Sequence, residues 1–154
     1  MTEIPLIEVV IRLVCATGFG AVIGIDRDVR DKPIGSRTLA LVGLGSAVAS
    51  IAALQAGDSD GYSRVAQGIL AGIGFIGAGV ILKRPETGVV EGLTTAAAIW
   101  VTSAVGMMCA LGHWDTAGIA TLIALFILMI NYPFQKHFSP QTKSKIEQSK
   151  TSNE

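Results

Sequence analysis

The chain has 154 residues, of which 50% are hydrophobic and 16% charged, and its formal net charge is zero. Soluble domains carry about 25% charged residues, so this composition argues against an ordinary soluble domain. Because acidic and basic residues balance, a nucleic-acid partner would find no global electrostatic attraction. The N-terminus lacks the basic region and cleavage site of a secretory signal, so we expect the first apolar segment to be retained.

Five apolar segments follow one another along the chain. About 20 helical residues, at about 1.5 Å of rise each, cover the hydrocarbon core of roughly 30 Å. We therefore predict an all-α, polytopic membrane protein, a bundle of five transmembrane helices in residues 1–134. The remainder, 135–154, is rich in Lys, Ser, Thr and Gln, which predicts a disordered cytoplasmic tail. The segments are 7–25, 38–56, 65–82, 93–111 and 116–130.

The first segment combines small residues with one charged side chain. Ala16, Gly20 and Gly24 recur every four residues, which is a ridge suited to close helix packing. Arg12 lies about one and a half turns from the start of the segment, where an arginine either snorkels to the interface or pairs with a neighbour. Its candidate partners are Glu8, one turn earlier, and an acid in a neighbouring loop.

The third segment, between Arg64 and Lys83, contains no ionisable residue. Its letters include Gly-x-Gly-x-x-Gly, but a dinucleotide site needs a strand, a tight turn and a helix N-terminus, not one continuous apolar run. We interpret the glycines as helix-packing positions on two smooth faces, which predicts a central helix with two close neighbours. One face carries Gly68, Gly72 and Gly79, and the other carries Gly74, Gly77 and Ala78.

Basic residues are distributed unevenly among the loops. With five crossings, one side of the membrane holds Arg64, and the other holds the loop after segment one, the loop after segment three and the tail. The basic residues on that other side are Arg27, Arg30, Lys32, Arg37, Lys83, Arg84, Lys136, Lys143, Lys145 and Lys150. The positive-inside rule then predicts that the N-terminus lies outside and the C-terminus in the cytoplasm.

A polar cluster is expected at the cytoplasmic ends of segments one to four. It is either a solvated face of ion pairs or a site at which Asp26 and Arg37 form a partly buried pair. Cys15, Cys109 and His113 lack the spacing of metal ligands, and no nucleophilic or paired-carboxylate constellation is present, so we expect no enzyme, cofactor or metal site. The cluster comprises Asp26, Arg27, Asp28, Arg37, Thr38, Glu91, Thr94 and Thr95.

Four blocks of sequence resemble the MgtC/SapB family of bacterial inner-membrane proteins, over residues 9–130. They are Ile23-Gly-Ile-Asp-Arg27, Gly35-Ser-Arg-Thr38, Gly72-Ile-Gly-Phe-Ile-Gly-Ala-Gly79 and Gly92-Leu-Thr-Thr-Ala-Ala97 followed by Trp100. The resemblance implies a five-helix domain in the bacterial inner membrane and a link to growth in low magnesium. It also implies links to survival inside host cells and, in some members, to restraint of the ATP synthase.

The resemblance also assigns residues. It places the family's acidic-arginine pair on Asp26 and Arg27. Its remaining blocks fall on Gly35, Arg37, Thr38, the glycine helix from Gly72 to Gly79, Leu93, Thr94 and Thr95. Longer members carry a soluble C-terminal domain where this chain has a polar tail, so the chain resembles the short, SapB-like form. Roles that depend on that domain, including much of the virulence description, do not transfer.

Two functional hypotheses follow. The first is a regulator that binds the bilayer and another integral membrane protein, or further copies of itself, through its glycine faces. The second is a small ion or solute carrier, for example of Mg²⁺, with Asp26, Arg37 and Thr94 at its gate. Carriers usually have ionisable residues near the midplane and broken helices, and Arg12 is the single candidate for such a residue.

Overall fold

The structure, a computed structural model, describes residues 4–57, 59–83 and 90–130, so the predicted tail lies outside the described residues. Four helices, α1 to α4, are long and apolar enough to cross a membrane, and α5 is a shorter apolar helix of 17 residues. The predicted all-α membrane bundle is confirmed. The elements are α1 (Leu6–Val29), α2 (Ser36–Gln55), α3 (Ser59–Val80), β1 (Leu82–Lys83), β2 (Val90–Glu91), α4 (Leu93–Ala110) and α5 (Trp114–Ile130).

Helix α1 is longer than the sequence predicts. We expected a connector to begin at Asp26, but the helix continues to Val29. An ion pair between Asp26 and Arg30, four residues apart, stabilises this last turn. The helix ends before Asp31, whose φ of 50° is in the left-handed region, and Pro33 follows. The first charged residues of the expected loop are therefore held on a rigid helix.

The connection between α3 and α4 contains a short hairpin that the sequence did not predict. Leu82 is paired with Glu91 and Lys83 with Val90, in antiparallel register. Gly92 follows with a φ of +92° and begins α4. The hairpin places the end of α3 beside the start of α4.

The centre of the bundle lies where α1, α2 and α4 meet. A Cβ added to Gly43 of α2 would lie 2.5 Å from the carbonyl oxygen of Ala16 in α1. A Cβ added to Gly106 of α4 would lie 2.5 Å from the carbonyl oxygen of Gly43. Real Cβ atoms are not found at such distances, so these helices approach each other backbone to backbone, as small residues permit in membranes.

Buried hydroxyl groups of α2 and α4 form hydrogen bonds between these helices and within them. The hydroxyls of Ser46 in α2 and Ser103 in α4 are 2.9 Å apart and share a hydrogen bond. Thr102 donates to the carbonyl oxygen of Ala98 in its own helix at 2.8 Å. Because lipid offers no water to these groups, such bonds satisfy side chains that would otherwise be costly to bury.

The predicted central position of α3 is wrong for the single chain. Within its apolar window 6% of residues are buried, against 56% for α4 and 39% for α2. Among the described residues outside α3's own backbone, a Cβ added to Gly68, Gly72, Gly74 or Gly79 would meet no atom within 4 Å, while one at Gly77 would lie 3.6 Å from the Cβ of Ala96. Periodicity identifies a smooth face, but it does not reveal whether the neighbour of that face belongs to the same chain.

Candidate functional site

The end of α1 lies against the start of α2 because small residues let the two helices touch. A Cβ added to Gly20 would lie 2.4 Å from the carbonyl oxygen of Leu39, and one at Gly24 would lie 2.3 Å from the Cα of Ser36. Gly20 and Gly24, which the sequence predicts as packing positions, lie where the backbones of α1 and α2 come closest. This contact fixes where the charged last turn of α1 stands relative to the N-terminus of α2.

Asp28 of α1 caps α2 from outside that helix. Its Oδ2 accepts a hydrogen bond of 2.9 Å from the backbone N–H of Ser36, the first residue of α2. A carboxylate at this position satisfies a free N–H and complements the positive end of the helix dipole. A Cβ added to Gly35 would lie 1.5 Å from Asp28 Oδ1, so glycine leaves the space that the carboxylate occupies.

Asp28 belongs to the polar cluster expected from the sequence, but its joint action with Gly35 as a cap of α2 was not predicted. Local capping motifs place the acid next to the helix that it caps, whereas Asp28 precedes Ser36 by eight residues, across a turn. The sequence does contain a signal for this cap: Gly35 stands directly before the start of α2, and Asp28 is an acidic residue near the end of the preceding segment.

Asp26 is paired with Arg30, and not with Arg37, which was one of the two alternatives that the sequence left open. Asp26 Oδ1 accepts from Arg30 Nε at 2.8 Å, and the side chain of Asp26 is 7% exposed. The reason is that α1 continues past Asp26 and brings Arg30 one turn above it. Arg37 and Thr38 are exposed residues of the first turn of α2. They line a polar cavity of about 230 Å³ together with Asp28, Gly35 and Ser36.

Arg27 and Thr95 join α1 to α4. Arg27 donates a hydrogen bond of 2.6 Å from its terminal nitrogen Nη2 to the hydroxyl oxygen of Thr95. The two residues are 3% and 1% exposed. Glu91, in β2, and Thr94 are exposed. The predicted cluster is thus divided into a buried pair, Arg27 with Thr95, and a rim of exposed residues.

Arg12 lies at the opposite end of α4. Its guanidinium donates to the carbonyl oxygen of Ala110 and to the carboxylate of Glu8, which is one of the candidate partners named from the sequence. A cation that bonds the last carbonyl groups of a helix complements its negative end. The guanidinium is therefore an interhelical cap that joins α1 to α4.

The described part of the chain contains no group of three or more His, Cys, Asp or Glu side chains that could hold a metal ion. The described polar residues form a set of helix caps and interhelical hydrogen bonds. Its chemical capacity is to fix helices against each other and to present charged groups at the end of the bundle.

Comparison with known proteins identifies a family. The model of the MgtC family matches residues 13–137. SrpB of Synechococcus elongatus is 44% identical, and the alignment covers 76% of this chain and 71% of that protein. MgtC of Salmonella typhimurium is 42% identical over 75% of this chain and 49% of that protein. YhiD of Escherichia coli K12, whose name describes it provisionally as a magnesium transporter, is 39% identical over 80% of this chain and 60% of that protein.

The chain therefore spans about half the length of the Salmonella protein that it matches. No solved structure matches it. The family match and the apolar helices together identify a multi-pass bacterial membrane protein. Since the match covers most of the sequence, from within α1 to beyond the end of α5, the chain belongs to the MgtC family.

Proposed function

We propose that this chain is an inner-membrane regulator that binds other integral membrane proteins through the open side of α3, under conditions of magnesium limitation. We define the α3 glycine face as Gly68, Gly72 and Gly79. The observation that carries the proposal is that a Cβ added on this face would meet no atom of another described element of the chain within 4 Å.

The contrast within the chain supports this reading. Gly20, Gly24, Gly43 and Gly106 lie where another helix backbone would collide with a side chain. Glycine costs about 1 kcal/mol relative to alanine in a helix interior, so a row of glycines needs a compensating contact. For the α3 glycine face that contact is absent from the described part of the chain, and a helix of another molecule would supply it.

A groove lies beside this face, between α2 and α3. It has a volume of about 400 Å³ and runs between α2 and α3, and Gly68 and Gly72 form part of its wall. Gly45 of α2 lines the other side, and a Cβ there would also meet no atom. Two helices with small residues therefore border an apolar, membrane-facing cleft.

The link to magnesium rests on the relatives. The name of YhiD of Escherichia coli includes the words magnesium transporter. The resemblance described above connects the family to growth in low magnesium. A carrier is the competing function. The described ionisable side chains buried in the bundle belong to residues near helix ends, such as Arg12 and Arg27, and this distribution favours a regulator. We further propose that the chain is not an enzyme and needs no cofactor.

The test compares Gly72→Leu with Gly18→Leu. Gly18 is also an exposed helical glycine with no atom within 4 Å of its Cβ position, but it lies on α1, away from the α3 glycine face. In a bacterial strain that lacks the gene, growth in low magnesium should be restored by the wild type and by Gly18→Leu, and not by Gly72→Leu. Membrane levels and thermal stability of the two variants should match.

The carrier hypothesis is tested on the purified chain in liposomes loaded with a magnesium-sensitive dye. The regulator proposal predicts the same flux as in empty liposomes. A magnesium flux that Gly72→Leu leaves intact and that substitution of Asp26 by Asn abolishes would replace the regulator with the carrier.

A further inference from the structure

Helix α4 has an arginine at each end, and the two are in opposite electrostatic situations. At the C-terminal end, Arg12 donates to the carbonyl oxygen of Ala110 and to Glu8. At the N-terminal end, Arg27 donates to the hydroxyl of Thr95, in the first turn. Because a helix is positive at its N-terminus and negative at its C-terminus, the dipole of α4 favours Arg12 and opposes Arg27.

Arg27 also has unused hydrogen-bonding capacity. The residue is 3% exposed, and its Nε is buried without a hydrogen-bond acceptor among the described residues. The neighbouring carboxylate of Asp26 is held by Arg30 through Oδ1 at 2.8 Å. A buried charged donor without an acceptor is costly, so the surroundings of Arg27 call for a negatively charged group.

The start of α4 has the same requirement. Gly92 is its N-cap residue, with a φ of +92°, and no side-chain hydrogen bond caps the helix within the described ranges. The first N–H groups of an 18-residue helix therefore point out of the bundle together with the positive end of the dipole. The hydroxyl oxygen of Thr95 accepts from Arg27, which leaves its own proton available to a further acceptor.

We propose that Arg27 and the first turn of α4 form a binding site for a phosphate-type oxyanion. Such an anion would accept from the guanidinium of Arg27 and from the free N–H groups of Leu93, Thr94 and Thr95. Three carboxylates lie nearby. Asp26 accepts from Arg30 through Oδ1, while its Oδ2 is buried without a hydrogen-bond partner among the described residues; Asp28 accepts from the N–H of Ser36, and Glu91 lies at the exposed rim.

Two sources could supply this chemistry. The site lies at the end of two membrane-spanning helices, which is the level of lipid headgroups, so the phosphate is either that of an anionic phospholipid or free inorganic phosphate. The inference does not depend on the proposed regulatory function.

The experiment uses the full chain and measures both sources. In detergent, the melting temperature is followed as inorganic phosphate replaces chloride at constant ionic strength. In a separate arm, native mass spectrometry measures retention of phosphatidylglycerol, with phosphatidylethanolamine as the comparison lipid. A ligand that binds the folded state raises its melting temperature saturably, which gives an apparent affinity.

The variants are Arg27→Lys, which keeps the charge but removes Nε, and Thr95→Val, which removes the hydroxyl at nearly constant volume. Their matched controls are Arg12→Lys, at the other end of α4, and Thr102→Val, whose hydroxyl is bonded within α4. We expect at least one probe to bind the wild type. Its affinity for Arg27→Lys and for Thr95→Val should be about tenfold lower, and its affinity for both controls should equal that of the wild type.

Two results would overturn the proposal. One is that neither phosphate nor phosphatidylglycerol binds the wild type in a saturable way. The other is that Arg27→Lys and Thr95→Val bind like the wild type. If Arg27→Lys does not fold, Thr95→Val decides the question, because valine fits the same space in the helix.

Discussion

At the scale of single residues, glycine is required at position 35 because a carboxylate from another helix occupies the space of a side chain, and not because of the backbone conformation there. Its φ of −115° is accessible to any residue, so alanine would suffer no conformational strain there. The added Cβ would instead lie 1.5 Å from Asp28 Oδ1 and expel the carboxylate from the N-terminus of α2. The identity of Gly35 is thus a consequence of the cap.

Gly35→Ala should therefore lower the free energy of unfolding, because it removes the N-cap interaction of Asp28. Asp28→Ala should have a similar effect, because it removes the same hydrogen bond. The double variant should be little worse than either single one, since both act on one interaction. Unfolding of the purified chain in mixed micelles measures all three. Additive losses would show that Gly35 and Asp28 act independently.

Arg12 offers a second prediction at this scale. Its side chain is 12% exposed and bonds the C-terminal end of α4, whereas the side chain of Glu8 is 41% exposed. Arg12→Gln should lower the free energy of unfolding by about 2 kcal/mol, as expected for a partly buried cation at a helix C-terminus. Glu8→Gln should cost less than about 1 kcal/mol, because solvent screens an exposed partner.

The same micelle unfolding assay checks this order. Equal losses for Arg12→Gln and Glu8→Gln would mean that the ion pair, and not the bond to Ala110, is what stabilises the junction of α1 and α4. Arg12→Lys serves as the control that retains the charge.

At the scale of elements, Gly43 and Gly45 of α2 form a matched pair. Comparing them separates the contribution of interhelical packing to stability from that of helix propensity. A Cβ at Gly43 would collide with the backbone of Ala16, while a Cβ at Gly45, two residues later, would meet nothing within 4 Å. Both lie in the same helix, so alanine changes their helix propensity equally. Their difference in stability reports the contact of α1, α2 and α4 alone.

Gly43→Ala should destabilise the bundle by about 1–3 kcal/mol through overpacking, and Gly45→Ala should be neutral or slightly stabilising. Thermal unfolding of the two variants in detergent measures the difference. If Gly43→Ala were as stable as Gly45→Ala, the backbone approach at the centre of the bundle would be absent in solution.

The sequence predicted these elements well where hydrophobic length is the signal, and poorly where the signal depends on partners. Five apolar segments became five helices, because an apolar run must satisfy its backbone internally. The end of α1 was placed too early, since alternating charges look like a loop although Asp26 and Arg30 stabilise a helix. Asp28 was missed as a cap because its target lies across a turn.

The glycines of α3 show the same limit. Gly20 and Gly72 are indistinguishable in sequence, each within a ridge of small residues four apart. The structure shows a backbone contact for Gly20 and open space at Gly72. Helical periodicity identifies faces that can pack against another helix. The three-dimensional contacts show which of these faces are packed within the chain.

At the scale of the whole molecule, the orientation in the membrane remains a prediction. The ends of α1 and α3 and the start of α2 carry Arg27, Arg30, Arg37 and Lys83, whereas Arg64 lies at the other end of α3. The positive-inside rule places the first group in the cytoplasm, the N-terminus outside and the C-terminus inside. Reporter fusions at the two termini should give opposite locations, and a shared location would contradict five crossings.

In the proposed function, the α3 glycine face is the surface that binds another membrane protein. The most direct measurement places a photo-crosslinking amino acid at position 72, or at position 18 as the control, in cells grown in low magnesium. Position 72 should form a specific adduct with an integral membrane protein, and position 18 should not. Lipid adducts alone at position 72, or identical protein adducts at both positions, would contradict the account.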